Sequence, residues 1–287
     1  MCIHCESLSS CESLTYKSFI RIVKRIKKND KTLTCVWSVE PHFGREAAEI
    51  IAEAMKYNKS VTYLRLGNNI CDGGVEQLSY MLGYNRTLKV LDLSDNSSIS
   101  ARGVTFLADA LKKNTTLTTL ILSKTNVKQK ACVALSSMLA VNKTLTTLDV
   151  SCNNIGDRGV KALLEFIRKS NHSLTTLSIA NNIITSAGAN VLAETLCDNT
   201  TLTSIDISNN NFEVLRNITL MNALESNYSL TTFETNIVSS KISDILFNNK
   251  YRKLYITLML LFSEYGSIVP SLVVKRIVDN VLRMPNF

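Results

Sequence analysis

The chain has 287 residues, 45% of them hydrophobic, with only three prolines and ten glycines, which excludes a disordered or low-complexity protein. Its formal net charge of +8 sits at the two ends: residues 1–32 and 241–287 each hold seven Lys/Arg against three Asp/Glu, whereas residues 33–240 hold eighteen of each. A nucleic-acid-binding array concentrates positive charge along its groove, so a nucleic-acid partner is not expected.

The first segment, residues 1–13, reads as a flexible tail. It carries Cys2, His4, Cys5 and Cys11, but their spacing fits no standard zinc finger, so no metal is expected. The segment also lacks the basic-then-apolar order of a secretory signal. Residues 14–32 form an amphipathic helical cap with Leu14, Phe19, Ile22, Val23 and Ile26 on its apolar side. Within it, Arg25-Ile26-Lys27-Lys28-Asn29 echoes Ala110-Leu111-Lys112-Lys113-Asn114, which marks a half-repeat.

From residue 33 to residue 240 one pattern recurs. Leu145-Thr-Thr-Leu148-Asp-Val150-Ser-Cys-Asn153 has copies at Leu88…Asn96, Leu117…Thr125, Leu174…Asn182 and Leu202…Asn210, an earlier one at Val61…Asn69, and weaker ones at Leu33 and Leu230. Successive starts are 28, 27, 29, 28, 29, 28 and 28 residues apart. This is the L-x-x-L-x-L-x-x-N signature, and the segment resembles the ribonuclease-inhibitor-like class of leucine-rich-repeat proteins. The resemblance implies an α/β solenoid of about eight repeats: a horseshoe arc with a parallel sheet on the concave side and helices on the convex side. It also implies a ladder formed by the signature asparagines, weakened where Thr125 and Pro41 replace them.

Three further columns run through the repeats. Asn58, Asn85, Asn114, Asn142, Asn171, Asn199 and Asn227 each begin an Asn-X-Ser/Thr triplet at the turn from helix to strand, explained by asparagine's tolerance of a left-handed helix cap rather than by glycosylation. Eleven residues before them stand Ala47, Gly74, Gly103, Ala131 and Gly188, with Gly159 one place off. These small residues let neighbouring helices approach, and Arg216 breaks the column. Cys35, Cys71, Cys132, Cys152 and Cys197 are scattered, and Cys132 falls on an apolar helix position, as a free buried thiol would.

Strand alternation turns a central column outward: Trp37, Arg65, Asp92, Ile121, Asp149, Ser178, Asp206 and Glu234. Beside it run Cys35, Tyr63, Val90, Thr119, Thr147, Thr176, Ser204 and Thr232 on one flank, and Val39, Gly67 and then small, mostly hydroxyl residues on the other. Trp37, Tyr63 and Arg65 are interface-prone types, and Trp37 has an alternative place against the N-terminal cap. Asp92, Ile121, Asp149, Asp206 and Glu234 complete the candidate partner-binding set; the acids favour a basic partner surface. They read as a solvated ladder.

Residues 241–287 form a helical C-terminal cap. Its longest apolar run, Leu254 to Phe262, is less than half a membrane span, so no membrane is expected. In its last helix Pro270, Val274, Ile277 and Val281 weakly resemble the core of F-box-like motifs, which implies adaptor docking as an alternative to capping. His4, His42 and His172 have no nucleophile or carboxylate at an obvious triad spacing, and no P-loop, dinucleotide fingerprint or HExxH motif is present. The expectation is a cytoplasmic, monomeric, non-catalytic scaffold without cofactors that holds a protein ligand on its concave face. The alternatives are a ubiquitin-ligase substrate receptor, and a small-GTPase regulator because one GTPase-activating family shares this repeat.

Overall fold

The computed structural model describes residues 11–15, 17–38, 44–236 and 239–250. Among the described residues nine parallel strands form one sheet in chain order, so each inner strand pairs with the strands before and after it. The strands are β1 (Cys11–Ser13), β2 (Cys35–Ser38), β3 (Tyr63–Leu66), β4 (Val90–Asp92), β5 (Thr119–Ile121), β6 (Thr147–Asp149), β7 (Thr176–Ser178), β8 (Ser204–Asp206) and β9 (Thr232–Glu234). Helices alternate with them: α1 (Phe19–Lys27), α2 (Arg45–Met55), α3 (Asp72–Leu82), α4 (Ala101–Leu111), α5 (Gln129–Leu139), α6 (Gly156–Lys169), α7 (Ser186–Asp198) and α8 (Ile218–Ser226). Residues 240–250 are also helical.

The repeat spacing explains this architecture. In the repeats of β2 to β8 two inward residues, such as Leu148 and Val150, are buried, as are the leading leucine Leu145 and helix residues such as Leu135 and Leu139. No repeat encloses its own apolar face, so stacking joins all of them into one continuous core from Leu14 to Ile242. At ~25 cal/mol per Å² of apolar surface, a buried leucine stabilises by about 2 kcal/mol, and each repeat supplies several.

The tail expected over residues 1–13 requires correction at its end. Cys11–Ser13 is a strand, paired with β2 through Cys11↔Cys35 and Ser13↔Trp37. Glu12 holds it to α1: its carboxylate pairs with Arg25 and lies 3.1 Å from Arg21. Cys11 is disulfide-bonded, which removes its thiolate as a metal ligand. Cys2, His4 and Cys5 lie outside the described residues, as do Val39, Pro41, His42 and the apolar run 254–262.

The two asparagine columns do different work from that expected of one of them. The triplet asparagines are not in left-handed conformation; Asn199 and Asn227 have φ of −87° and −85° with extended ψ. They are buried instead. Asn142 donates from Nδ2 to the Leu111 carbonyl at 2.7 Å and accepts at Oδ1 from the Thr144 and Leu145 N–H groups at 2.9 and 2.7 Å. Asn58, Asn85, Asn114, Asn171, Asn199 and Asn227 repeat the bond to the preceding repeat. Asn249 continues the ladder by donating to the Asn227 and Leu230 carbonyls. Burial of the amide nitrogen thus accounts for the column, and it leaves no room for a glycan.

The signature asparagines form the second ladder: Asn153 donates to the Leu122 and Val150 carbonyls and accepts from Val127 N–H. At the repeat where Thr125 stands, a single hydroxyl donates to the Leu122 carbonyl at 2.8 Å and reaches Asn153 Oδ1 at 3.3 Å. The left-handed residue is the one just before this ladder, namely Asn68, Asp95, Lys124, Cys152, Asn181 and Asn209, with φ between 52° and 62°.

The small-residue column makes room for more than helices. A Cβ on Gly103 would lie 2.5 Å from Asp72 Oδ1, and one on Gly188 the same distance from Asp157 Oδ1. Each aspartate reaches from one repeat to the helix start of the next. Asp72 accepts from Ser100 N–H, the Ser100 hydroxyl and Gly103 N–H, and Asp157 accepts from the same positions at Thr185 and Gly188. Where Arg216 interrupts the column, a 3-10 turn (Val214–Arg216) replaces the first helical turn and α8 begins only after the Asn217 cap.

Candidate functional site

Sheet register decides which side chains share the open face. The partners run Trp37↔Arg65↔Asp92↔Ile121↔Asp149↔Ser178↔Asp206↔Glu234 across β2 to β9. The central column expected from alternation is therefore one row on one face, with Tyr63 in the row beside it. Within this row the residues differ in depth.

In the N-terminal part the carboxylates are already paired within the chain. Asp92 is only 4% exposed. Its Oδ2 accepts from the Tyr63 hydroxyl at 3.2 Å and lies 3.5 Å from Arg65 Nε, and its Oδ1 accepts from Ser94 N–H. Arg65 also donates to Asp95 at 3.0 Å, and Lys124 lies 3.4 Å from the other oxygen of that carboxylate. The expectation of a solvated acid ladder with nothing to bury it is thus corrected at Asp92. Long side chains from the preceding repeat cover it. Arg65 Nε is itself buried and has no hydrogen-bond partner among the described residues. Trp37 is half-buried, one strand in from β1, so it is neither a fully open anchor nor a core residue.

The C-terminal part is less engaged. Asp149 and Asp206 each use Oδ1 to accept the N–H two residues on, Ser151 at 2.8 Å and Ser208 at 3.0 Å. This local turn bond explains why an aspartate ends these strands. Asp206 also accepts from the Ser178 hydroxyl at 3.2 Å. Burial pushes the Asp149 pKa up, Ser151 hydrogen bonds oppose this, and the like charges of Asp206 and Asp92 reinforce it. The ion pairs of this face gather on Asp92 and Asp95, and none among the described residues reaches Asp149, Asp206 or Glu234. Glu234 is exposed and borders a hollow of ≈ 410 Å³ with Phe233, Ile242 and Leu246.

Sequence reasoning missed Asp95 and Lys124. Both sit on the left-handed turn position, whose shared place in the repeat is the signal that would have found them. His172 is exposed at a repeat junction. Among the described residues no group of three His, Cys, Asp or Glu side chains is placed to hold a metal ion, and no helix is long and apolar enough to cross a membrane. Cys132 is a free buried thiol whose pKa is pushed up to about 12 by desolvation, which keeps it protonated and inert. Pro270, Val274, Ile277 and Val281 lie outside the described residues.

The Leucine Rich repeat family pattern matches residues 84–108, 113–136, 141–164, 170–193 and 198–213. Among solved structures, the chain is similar to the C-terminal domain of Caenorhabditis elegans tropomodulin, with 21% identity over 64% of this chain and 98% of that one and a TM-score of 0.43. It is also similar to the structure titled leiomodin-1 actin-binding site 2, with 16% identity over 67% of this chain and 96% of that one and a TM-score of 0.42. No curated protein matches the chain by sequence. The matched repeats, the recurring strand signature and the uninterrupted parallel sheet agree on the fold: the described residues form an α/β repeat solenoid that carries Leucine Rich repeats over the matched segments.

Proposed function

We propose that the chain is a non-catalytic scaffold whose open sheet face holds a protein partner with a basic surface. The observation that carries this reading is the row Asp149–Ser178–Asp206–Glu234: three carboxylates on one face, unmatched by any cation among the described residues. Asp149 is desolvated in the isolated chain and lies between like charges, so an arriving Lys or Arg would relieve a repulsion that already exists. Charge-assisted hydrogen bonds of this kind are worth about 1.5–3 kcal/mol each. The flanking rows are mostly small hydroxyl residues, which leave the surface flat enough for a folded partner. Catalysis is no part of this reading: Asp149 and Asp206 accept N–H groups of their own turns, and the hydroxyls on Asp206 are those of Ser178 and Ser208, which tie it to the sheet.

The test is affinity purification from cells, comparing the wild-type chain with Asp149→Asn plus Asp206→Asn. These changes keep shape and the turn bonds while removing charge. The reading expects a partner with a basic surface to be recovered roughly tenfold less well with the double variant. Equal recovery by both proteins would refute it.

A further inference from the structure

The repeat array is electrically neutral in sum but not in layout. Four of its acids, Asp92, Asp149, Asp206 and Glu234, line the sheet face, while an excess of bases lies along the edge where helices turn into strands. The buried asparagine ladder fixes that edge, because Asn58 bonds to the Ile26 carbonyl, Asn85 to Met55, Asn114 to Leu82 and Asn142 to Leu111. Residues beside these asparagines are therefore stacked from repeat to repeat. They include Lys28, Lys56, Lys59, Arg86, Lys113 and Lys143, all exposed except the half-buried Lys56. Three acids stand on the same edge: Asp30 is neutralised by Arg25 at 2.6 Å, Asp109 by Lys112 at 2.9 Å, and Glu53 lies close enough to Lys56 and Tyr80 to act on both electrostatically. Beyond Lys143 the excess ends: Arg168 is taken up by Glu194 and Asp198, and Lys241 by Glu225.

A second observation falls in the middle of this basic stretch. Tyr57, Tyr80 and Tyr84 are 65%, 56% and 42% exposed, and they surround one ammonium group. Lys56 Nζ lies 5.5, 4.9 and 4.6 Å from their ring centroids. The rings pack on one another, with centroids 6.1 Å apart for Tyr57–Tyr84 and 5.1 Å for Tyr80–Tyr84, and the Tyr80 and Tyr84 hydroxyls are 3.1 Å apart. Holding one another and Lys56, the rings are poorly placed to stack on nucleic-acid bases, as single-stranded nucleic acids require. They also lack the apolar wedge that enters a lipid interface. The cluster offers phenol hydroxyls around a fixed cation, which suits carboxylates.

We infer that this edge is a second docking surface, which takes an extended acidic segment of a partner protein. The segment would run across the repeats from Lys28 to Lys143, with the tyrosine–lysine cluster as its central anchor. Four repeat steps at strand-to-helix spacings of about 5–10 Å span roughly 20–40 Å. That is the reach of about ten extended residues. A chain with an acidic face and a basic edge can thus hold two ligands of opposite charge at once.

The experiment uses a fluorescein-labelled peptide of about ten alternating Asp and Glu residues, titrated with the full chain and read by anisotropy. Binding that weakens as salt is raised is expected. Lys59→Glu with Arg86→Glu and Lys113→Glu should weaken it roughly tenfold or more. Lys128→Glu with Lys130→Glu and Arg158→Glu changes net charge equally on the opposite edge and should leave binding within about twofold. Tyr57→Ala with Tyr84→Ala should weaken it several-fold at unchanged net charge. Circular dichroism checks the fold of each variant. Equal losses from the two charge-reversal triples, or no effect of the tyrosine changes, would overturn the inference. So would tighter binding of a uridine oligonucleotide or of phosphatidylserine vesicles than of the peptide. Self-association of the chain that disappears with the first triple would overturn it too, by assigning the edge to a second copy.

Discussion

Removing one rung of the buried asparagine ladder gives the sharpest prediction. In Asn142→Ala the Leu111 carbonyl loses its 2.7 Å donor, and the Thr144 and Leu145 N–H groups lose their acceptor. Asn142 is 3% exposed, so water does not readily replace the amide. A buried polar group left unpaired costs about 1–3 kcal/mol. Three such groups, partly relieved by water entering the small cavity, amount to about 3–5 kcal/mol. For a chain of this size about 2–4 °C of Tm accompanies each kcal/mol, so the transition should fall by roughly 10 °C. The assay is urea and thermal unfolding followed by far-ultraviolet circular dichroism, with the exposed Asn154→Ala as control. The control should stay within about 0.5 kcal/mol of wild type. A loss below about 1 kcal/mol for Asn142→Ala would refute the reasoning, because it would mean that the rung is replaceable by water.

Other perturbations test other parts of the scaffold. Gly103→Ala puts a methyl 2.5 Å from Asp72 Oδ1 and should break the inter-repeat cap, costing about 1–3 kcal/mol in urea unfolding; Asp72→Ala should cost a similar amount, and the double variant little more. Cys152 holds φ of 54°, so Cys152→Asn should stabilise by about 0.5–1 kcal/mol; a neutral or negative change would show that the turn carries no strain. The raised Asp149 pKa means that the native state holds this proton more tightly than the unfolded chain. That contribution is full below the ordinary value of 3.8 and is lost as pH rises through the raised one. Asp149→Asn, which keeps an acceptor for Ser151 N–H, should therefore gain Tm relative to wild type as pH is raised from about 3 to 7, and a pH-independent difference would contradict the desolvation.

Much of this fold is legible from leucine spacing, because strand alternation with a fixed repeat assigns each residue a face. The whole row from Trp37 to Glu234 follows from that rule, and the sheet register reproduces it. Depth is less legible than direction. Asp92 faces outward by alternation, yet Tyr63 and Arg65 from the repeat before close over it, and side-chain reach of that kind is not periodic. β1 escaped notice because Cys11-Glu12-Ser13 carries no inward leucine pair; pairing with β2 and the Glu12–Arg25 contact hold it instead. The triplet asparagines were recognisable as a column, but residue type suggested the wrong cause. Asparagine's left-handed tolerance is used just before the other ladder, where Lys124 and Cys152 adopt the same conformation and give no compositional sign of it.

The claim at the centre of this account is that the open sheet face is where a partner docks. A photo-crosslinking amino acid placed in cells at Ile121, midway along the central row, tests it directly against the same group at Val133, 55% exposed on α5. The account predicts a discrete adduct from position 121, diminished by Asp149→Asn plus Asp206→Asn, and none from position 133. Adducts from position 133 alone would place recognition on the helical side and contradict it.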